Sequence, residues 1–209
     1  MEECPRCFWL HYHGKRRPET IFPSLPSGMD AILKRHFDKF MEKNELPPEI
    51  KEEGECKGCE LFDDRELLET WRNARKGLVY QDEQGNILRG AVDNILVKNG
   101  KLIILDYKTR GFPCKEDTHK KYQNQLDIYN LLLQKNGYET EDFAFLLFYY
   151  PHEVLDTGEV IFDTKLIKMP VSIEHAEEIW NRALKLLNSK CPEKHEEKIC
   201  PWCQLLNEE

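Results

Sequence analysis

The chain has 209 residues, of which 40% are hydrophobic and 33% are charged, and its formal net charge is −8. This composition is typical of a globular protein with one domain, and the negative charge argues against a protein that coats nucleic acid through bulk electrostatics. No apolar run approaches the roughly 20 residues that span a bilayer, and no signal-peptide core is present, so we expect a cytoplasmic protein without a membrane partner.

The N-terminal segment combines a cysteine pair with aromatic and basic residues in the sequence CPRCFWLHYHGKRRP. Prolines at 18, 23 and 26 predict an extended stretch, and apolar spacing then predicts a helix over 28–43. His36 lies on this helix. It is either a histidine at the surface or core edge, or an imidazole that reaches a metal-binding cleft.

Cysteine spacing is informative because six of the eight cysteines form C-x-x-C pairs, at Cys4/Cys7, Cys56/Cys59 and Cys200/Cys203. In a reducing compartment, paired cysteines indicate metal binding more than disulfides. The pair Cys56/Cys59 lies in a predicted loop, 45–60. It is either a local turn with surplus thiols or part of a second metal site completed by Cys114 or Cys191. A helix over 63–76 follows.

The pattern between 79 and 109 is strand-like, with turn signals at 82–86 and at Asn99-Gly100. We predict three successive strands in a meander. Asp93 lies early on one arm of the second turn, and Asp106 and Lys108 lie at the end of the other. Charged groups in such an apolar hairpin need compensation, which a divalent cation would supply.

The remaining pattern predicts a long helix over 117–136, strands over 143–150 and 160–171, and a last amphipathic helix. The long helix places Gln125 in an otherwise apolar and aromatic stripe with Tyr122 and Tyr129. Gln125 is either at the edge of that stripe or directed at a ligand. The expected fold class is α/β, with a mixed central sheet flanked by helices in one domain, 1–209.

The carboxylates suggest a specific chemistry. Asp93 and Asp106 could share Mg²⁺ or Mn²⁺, and the backbone carbonyl of Tyr107 could add an oxygen ligand. Lys108 would hold a metal-bound water in line for attack or help its deprotonation. This arrangement predicts metal-assisted phosphodiester hydrolysis. The simpler alternative is a solvated ion pair between Asp106 and Lys108 at a strand end.

Three motifs, GAVD, ILDYKT and QLDIY, resemble the signatures of the PD-(D/E)XK nuclease superfamily in its RecB-like branch. The resemblance implies a restriction-endonuclease-like core. It also implies the catalytic residues Asp93, Asp106, Lys108, Gln125 and Tyr129. The family often has a histidine on a helix before the first acid, and His36 is the candidate for this further metal ligand.

The chain ends are similar to those of iron–sulfur nucleases in CRISPR adaptation modules and helicase–nuclease complexes. The resemblance implies that residues 1–27 and 189–209 form a cysteine clamp that binds a 4Fe–4S cluster or Zn²⁺. Two ligand sets are possible. The one we prefer consists of Cys4, Cys7, Cys200 and Cys203, and in the other Cys191 takes the place of Cys7.

The leading functional hypothesis is a metal-dependent DNA nuclease, either an exonuclease or a single-strand-directed enzyme, in DNA repair, recombination or CRISPR adaptation. The expected partners are single-stranded DNA or duplex ends, and other subunits of a DNA-processing complex. The alternative is an inactive nuclease-fold DNA-binding subunit, and a third possibility is a structural cysteine protein. Several basic residues could follow a nucleic-acid backbone, and Tyr122 could stack on a base. These basic residues are Lys15, Arg16, Arg17, Lys34, Arg35, Lys120 and Lys121.

Overall fold

The computed structural model describes residues 1–18, 23–196, 200 and 202–205. The chain separates into two compact units, one made of residues 1–22 with 177–209 and the other of residues 23–176. The expectation of a single domain over 1–209 therefore stays a prediction.

Helices and strands alternate irregularly along the chain. The helices are α1 (Pro5–Tyr12), α2 (Ser24–Met41), α3 (Pro48–Lys51), α4 (Arg65–Arg72), α5 (Gln123–Lys135), α6 (Ile173–Leu187) and α7 (Trp202–Leu205). The strands are β1 (Glu60–Leu61), β2 (Leu78–Gln81), β3 (Ile87–Gly90), β4 (Asn94–Lys98), β5 (Lys101–Thr109), β6 (Phe143–Val154) and β7 (Val160–Pro170). Short 3₁₀ turns cover Gly54–Cys56 and Thr118–Tyr122.

A five-stranded mixed sheet forms the centre of the larger unit, with the strand order β1-β4-β5-β6-β7. Strands β5 and β6 pair in parallel, whereas the other neighbours pair antiparallel. The continuous apolar run of β6 is buried over residues 144–148, as expected for a strand that is covered on both faces. The predicted mixed α/β fold is confirmed.

The turn between β4 and β5 forms as the sequence predicts. Asn99 and Gly100 have φ angles of 51° and 81°, and Lys98 pairs with Lys101 across the turn. Two central residues with positive φ form a type I′ turn, whose twist matches that of the flanking strands. This hairpin fixes the register of Asn94 opposite Leu105.

The predicted three-stranded meander is wrong, because β2 and β3 form a separate two-stranded sheet. The chain leaves β3 at Gly90, where an added Cβ would lie 2.7 Å from the ring of Tyr129. Two residues later, the Val92 backbone N–H donates to the carbonyl of Trp71 at 3.2 Å. Contacts with α4 and α5 thus end the first hairpin before the second begins.

Two helices cover the sheet near its centre. The ring of Phe37 in α2 lies 4.7 Å from that of Tyr107 in β5, and α5 contributes the fully buried Leu126 and Leu132. Helix α2 starts four residues before the predicted start, because Pro26 falls in its first turn, where backbone N–H groups have no intrahelical acceptor.

None of the helices in the described parts of the chain is long and apolar enough to cross a membrane.

Candidate functional site

Asp106 is the buried centre of the candidate active site, with 1% of its surface exposed. It lies near the end of β5 and forms an ion pair with Lys108, two positions later and therefore on the same side of the strand. Its Oδ2 atom is buried and has no further hydrogen-bond partner among the described residues. Burial and the neighbouring charge of Asp93 raise the pKa of Asp106 to about 7, against the opposing effect of Lys108 and Lys34.

Asp93 lies between β3 and β4 and is held by contacts at both carboxylate oxygens. Its Oδ2 accepts a hydrogen bond from the Tyr107 backbone N–H at 3.0 Å, and its Oδ1 lies 3.2 Å from Nζ of Lys34. The backbone carbonyl of Asp93 also accepts from Nε of Arg72 at 2.7 Å. These contacts fix the loop carboxylate against the strand that carries Asp106.

Lys108 is half-buried beside an aromatic ring. Its Nζ lies 4.8 Å from the ring centroid of Tyr122, and Nζ of Lys121 lies 5.0 Å from the same centroid. A cation near an aromatic ring is attracted to the negative face of the π-system. Tyr122 therefore helps to hold the Lys108 ammonium beside Asp106.

Gln125 and Tyr129 form a pair on α5, since Nε2 of Gln125 donates to the phenolic oxygen of Tyr129 at 2.8 Å. Burial raises the pKa of Tyr129 to about 12; the charges of Asp106 and Asp93 act in the same direction, and the Gln125 hydrogen bond opposes them. The structure therefore brings five predicted catalytic residues into one region: Asp93, Asp106, Lys108, Gln125 and Tyr129.

The structure does not bring His36 together with the two aspartates. Its Nε2 lies 2.9 Å from Oε1 of Glu49, and among the described residues no histidine joins a cluster of three possible metal ligands. Residues two positions apart point to nearly opposite sides of a helix. Because Lys34 faces Asp93, His36 of the same helix faces elsewhere.

The backbone N–H of Tyr107 donates to Oδ2 of Asp93, and this contact does not involve the carbonyl that was predicted as a metal ligand. Its phenol lies on the opposite side of the strand from Asp106, where it accepts from Nδ2 of Asn94 at 2.7 Å. The proposed carbonyl ligand therefore stays a prediction.

A comparison with protein families matches residues 1–207 to the PD-(D/E)XK nuclease superfamily. The chain belongs to this superfamily. None of the curated proteins compared with the chain matches it. Membership indicates metal-dependent nuclease activity and a nucleic-acid substrate, and it agrees with the grouping of an acid, an acid and a lysine around β5.

The donor groups of this nuclease fit a divalent cation. Two carboxylates converge, and one is buried with a raised pKa, so a positive charge nearby would relieve an unfavourable ionisation. Carboxylate oxygens are the hard ligands that Mg²⁺ and Mn²⁺ prefer. Asp93 and Asp106 are the residues that would hold the ion.

Sequence reasoning missed two cationic side chains of the nuclease site. Lys34, noted in the sequence only as one basic residue among several, bridges Asp93 and Asp30; its Nζ lies 2.9 Å from Oδ2 of Asp30. Arg72 joins the Asp93 carbonyl to the carboxylate of Asp38, 2.7 Å from Nη1. The spacing of Asp30 and Lys34, four positions apart on a helix, was the one local signal.

The second candidate centre of the nuclease is the cysteine cluster, which consists of Cys4, Cys7, Cys200 and Cys203. All four are buried, and their sulfur atoms lie within 4.8 Å of one another. Individual sulfur pairs are separated by 3.2, 3.5 and 3.9 Å. The described chain ends thus gather the preferred ligand set of two C-x-x-C pairs.

Cys191 lies outside the cysteine cluster. Its sulfur accepts a hydrogen bond from Nη1 of Arg6 at 3.1 Å, and the same nitrogen donates to the carbonyl of Pro192 at 2.7 Å. Cys7, not Cys191, occupies the fourth position. The alternative ligand set is therefore not assembled.

The electrostatics of the cysteine cluster suit thiolate ligands. Burial raises the pKa of Cys7 to about 12, although a hydrogen bond from Arg17 opposes that shift. Burial also opposes ionisation of Cys200, but hydrogen bonds that include one from Cys7 lower its pKa to about 7. Ionisation of four crowded, buried thiols is unfavourable by itself. It becomes favourable when a metal ion binds the thiolates and offsets their charge.

Proposed function

We propose that the protein is a Mg²⁺- or Mn²⁺-dependent deoxyribonuclease that hydrolyses phosphodiester bonds at DNA ends or in single strands. One observation carries this proposal: Asp106 is buried, and it lies against Lys108 and in the field of Asp93. An ordinary surface ion pair would leave the carboxylate exposed to water. A buried carboxylate with a raised pKa instead favours a site that a bound cation completes.

The proposed reaction is the attack of water on the phosphorus atom. A bond from the water oxygen to phosphorus forms, the bond from phosphorus to a sugar oxygen breaks, and that oxygen leaves with a proton. A divalent ion held by Asp93 and Asp106 would supply Lewis-acid activation and offset phosphate charge. Lys108 donates hydrogen bonds from Nζ to the attacking water or to a phosphate oxygen, which positions the nucleophile.

The neighbouring side chains have positioning roles in this proposal. Lys34 and Arg72 hold Asp93 through its carboxylate and its carbonyl, respectively. The Gln125–Tyr129 pair presents an amide and a phenol that can donate hydrogen bonds to the scissile phosphate. This pair also supports placing the protein in the RecB-like branch, whose Q-x-x-x-Y helix it matches.

The preference for single strands or ends rests on Tyr122, whose ring lies near Lys108, and on an exposed ring in the segment that follows β5. Tyr122 lies beside Lys108 and Lys121, and Phe112, in the segment that follows β5, is 78% exposed. Aromatic rings next to cations stack on unpaired bases and attract the phosphate backbone. Such a surface favours bases that are not already stacked in a duplex.

The test is cleavage of end-labelled single-stranded and duplex DNA with Mg²⁺, with Mn²⁺ or with chelator. Asp106→Ala and Lys108→Ala should each abolish cleavage, whereas Asp156→Ala, which removes an exposed turn carboxylate, should not. Stepwise shortening from an end would identify an exonuclease. If the wild type binds DNA but never cleaves it with any divalent ion, the protein is an inactive DNA-binding subunit.

We further propose that the cysteine cluster binds Zn²⁺ in preference to a 4Fe–4S cluster. Four thiolates on one tetrahedral zinc ion, about 2.3 Å from each sulfur, lie close to about 3.8 Å apart. Three of the sulfur pairs, at 3.2, 3.5 and 3.9 Å, lie near that spacing, and all four sulfurs lie within 4.8 Å of one another, whereas a cluster holds its thiolates on separate irons. Anaerobically purified protein should be colourless with one equivalent of zinc, and a broad visible absorption with bound iron would contradict this assignment.

A further inference from the structure

The third C-x-x-C pair, Cys56 and Cys59, belongs to neither site described above. Both residues are buried, with 1% and 6% of their surfaces exposed. In the described parts of the chain, neither Cys114 nor Cys191 joins them in a cluster of three metal ligands. Among those described residues no second metal centre is assembled, so the pair is left with the chemistry of two thiols.

The backbone between the two cysteines is a type II β-turn. Lys57 has φ −59° and ψ 123°, Gly58 has φ 78°, and the Cys59 N–H donates to the Cys56 carbonyl at 2.9 Å. In a β-turn the first and fourth Cα atoms lie within about 7 Å. A disulfide spans Cα separations of about 4.4 to 6.8 Å, so this turn can close one without a large backbone change.

The two thiols differ in acidity because one donates to the other. The hydrogen bond from Cys56, together with Lys98 and Lys168, lowers the pKa of Cys59 to about 7, against the opposing effects of burial and Glu141. The same hydrogen bond and burial raise the pKa of Cys56. Cys59 is thus the better nucleophile, and Cys56 holds its proton.

A cavity of about 520 Å³ gives small molecules access to Cys59. Its lining includes the apolar side chains of Met41 and Leu61 and the charged side chains of Lys51 and Glu60. Cys56 does not line this cavity. The better nucleophile is therefore also the thiol that a solute can reach.

We propose that Cys56 and Cys59 form a reactive dithiol site that takes low-molecular-weight disulfides such as oxidised glutathione. The Cys59 thiolate attacks one sulfur of the reagent, forms a mixed disulfide and releases one thiolate. Cys56 then loses its proton, attacks the Cys59 sulfur and releases the second thiolate. The two protein thiols are oxidised by two electrons, and the reagent is reduced to two thiols.

The site lies at the edge of the sheet that carries the active site. Cys59 directly precedes β1, in which Glu60 pairs with Val97 and Leu61 with Leu96 of β4. Strand β4 begins immediately after Asp93. A covalent bond at the start of the edge strand therefore constrains a strand that is hydrogen-bonded to the hairpin of the nuclease site.

The test uses the full reduced protein, incubated with oxidised glutathione, followed by alkylation of remaining thiols and peptide mass mapping. The expected product is an intramolecular Cys56–Cys59 disulfide, seen as loss of two hydrogens from the peptide that contains both residues. The Cys114→Ser variant should give the same product at the same rate. If both thiols remain reduced until the protein is unfolded, the proposal is wrong.

Two further variants test the order of attack. Cys56→Ser should accumulate the mixed disulfide of Cys59 with glutathione, because the resolving thiol is absent and serine still offers a hydroxyl donor. Cys59→Ser should react at least about tenfold more slowly, since the remaining thiol has a raised pKa and no cavity access. Equal rates in these two variants would overturn the assignment of Cys59 as the nucleophile, whether or not the protein cleaves DNA.

Discussion

The ammonium nitrogen of Lys34 lies 3.2 Å from Oδ1 of Asp93, so a lysine of the first long helix neutralises a carboxylate of the candidate metal site. Lys108 does the same for Asp106. Each of the two carboxylates therefore has its own lysine.

Replacing Lys34 with methionine should destabilise the protein in the presence of chelator. Methionine keeps most of the aliphatic stem but loses the charge that offsets Asp93, which we expect to cost about 1–3 kcal/mol of unfolding free energy. The melting temperature should then rise more on addition of Mg²⁺ than it does in the wild type. Lys39→Met, at an exposed position of the same helix, is the matched control, and equal responses of the two variants would contradict the role of Lys34.

The stability of the metal-free protein should depend on pH through Asp106. Its pKa in the folded protein, about 7, lies above its usual value of 3.8, so the folded state binds more protons than the unfolded state between these values. Stability should consequently fall as pH rises through this window. Urea unfolding near pH 5 and near pH 7.5 should show a loss of roughly 2–3 kcal/mol relative to Asp106→Asn, which lacks the ionisation. A parallel pH profile for the two proteins would contradict the shifted pKa.

Removing His36 should leave metal binding intact. Its imidazole contacts Glu49, whose Oε1 also accepts from the Tyr149 hydroxyl at 2.6 Å. His36→Ala should therefore cost about 1 kcal/mol of stability through this network while the affinity for Mn²⁺, measured by calorimetry, stays unchanged. Asp106→Ala serves as the comparison that should lose the affinity. A similar loss in His36→Ala would restore the histidine as a metal ligand.

Arg72→Lys should weaken both stability and cleavage. The buried guanidinium serves the Asp93 carbonyl and the Asp38 carboxylate at once, and an ammonium group cannot reproduce this fork. We expect a loss of about 2–4 kcal/mol in urea unfolding and slower cleavage under conditions where the variant is still folded. Arg75→Lys, at an exposed position, should change neither quantity.

Cys203→Ser should release the metal of the cysteine cluster, whereas Cys191→Ser should retain it. Cys203 has two cluster sulfurs within 3.9 Å, but Cys191 is hydrogen-bonded to Arg6. Elemental analysis of the purified variants gives the metal per chain. Loss of metal from Cys191→Ser would favour the alternative ligand set.

The parts of the site that were predictable from sequence are those set by local chemistry. The Asn99-Gly100 turn needs two residues with positive φ, and it fixes a hairpin whatever lies around it. Asp106 and Lys108 share a side of one strand by alternation alone. The Gln125–Tyr129 pair follows from helical spacing in the same way.

The parts that the sequence did not resolve depend on contacts between distant segments. The choice between Lys34 and His36 is a question of how α2 is rotated against the sheet, and apolar periodicity does not resolve which polar residue faces Asp93. The missed separation of the two hairpins has a similar origin. It depends on the approach of Gly90 to Tyr129, which lies on a helix that is almost 40 positions later.

The cysteine cluster also makes the covalent chain into a ring whenever a metal is bound. Cys7 and Cys200 are 193 positions apart, so their sulfurs close nearly the whole chain into one loop. The entropy of closing a flexible loop grows with the logarithm of its length, so this contact is among the most improbable in the unfolded chain. A bound ion would therefore remove much of the freedom of the unfolded state. After a single proteolytic cut inside the ring, unfolding alone would not release the two fragments, because the bound metal would still join them until a chelator removed it.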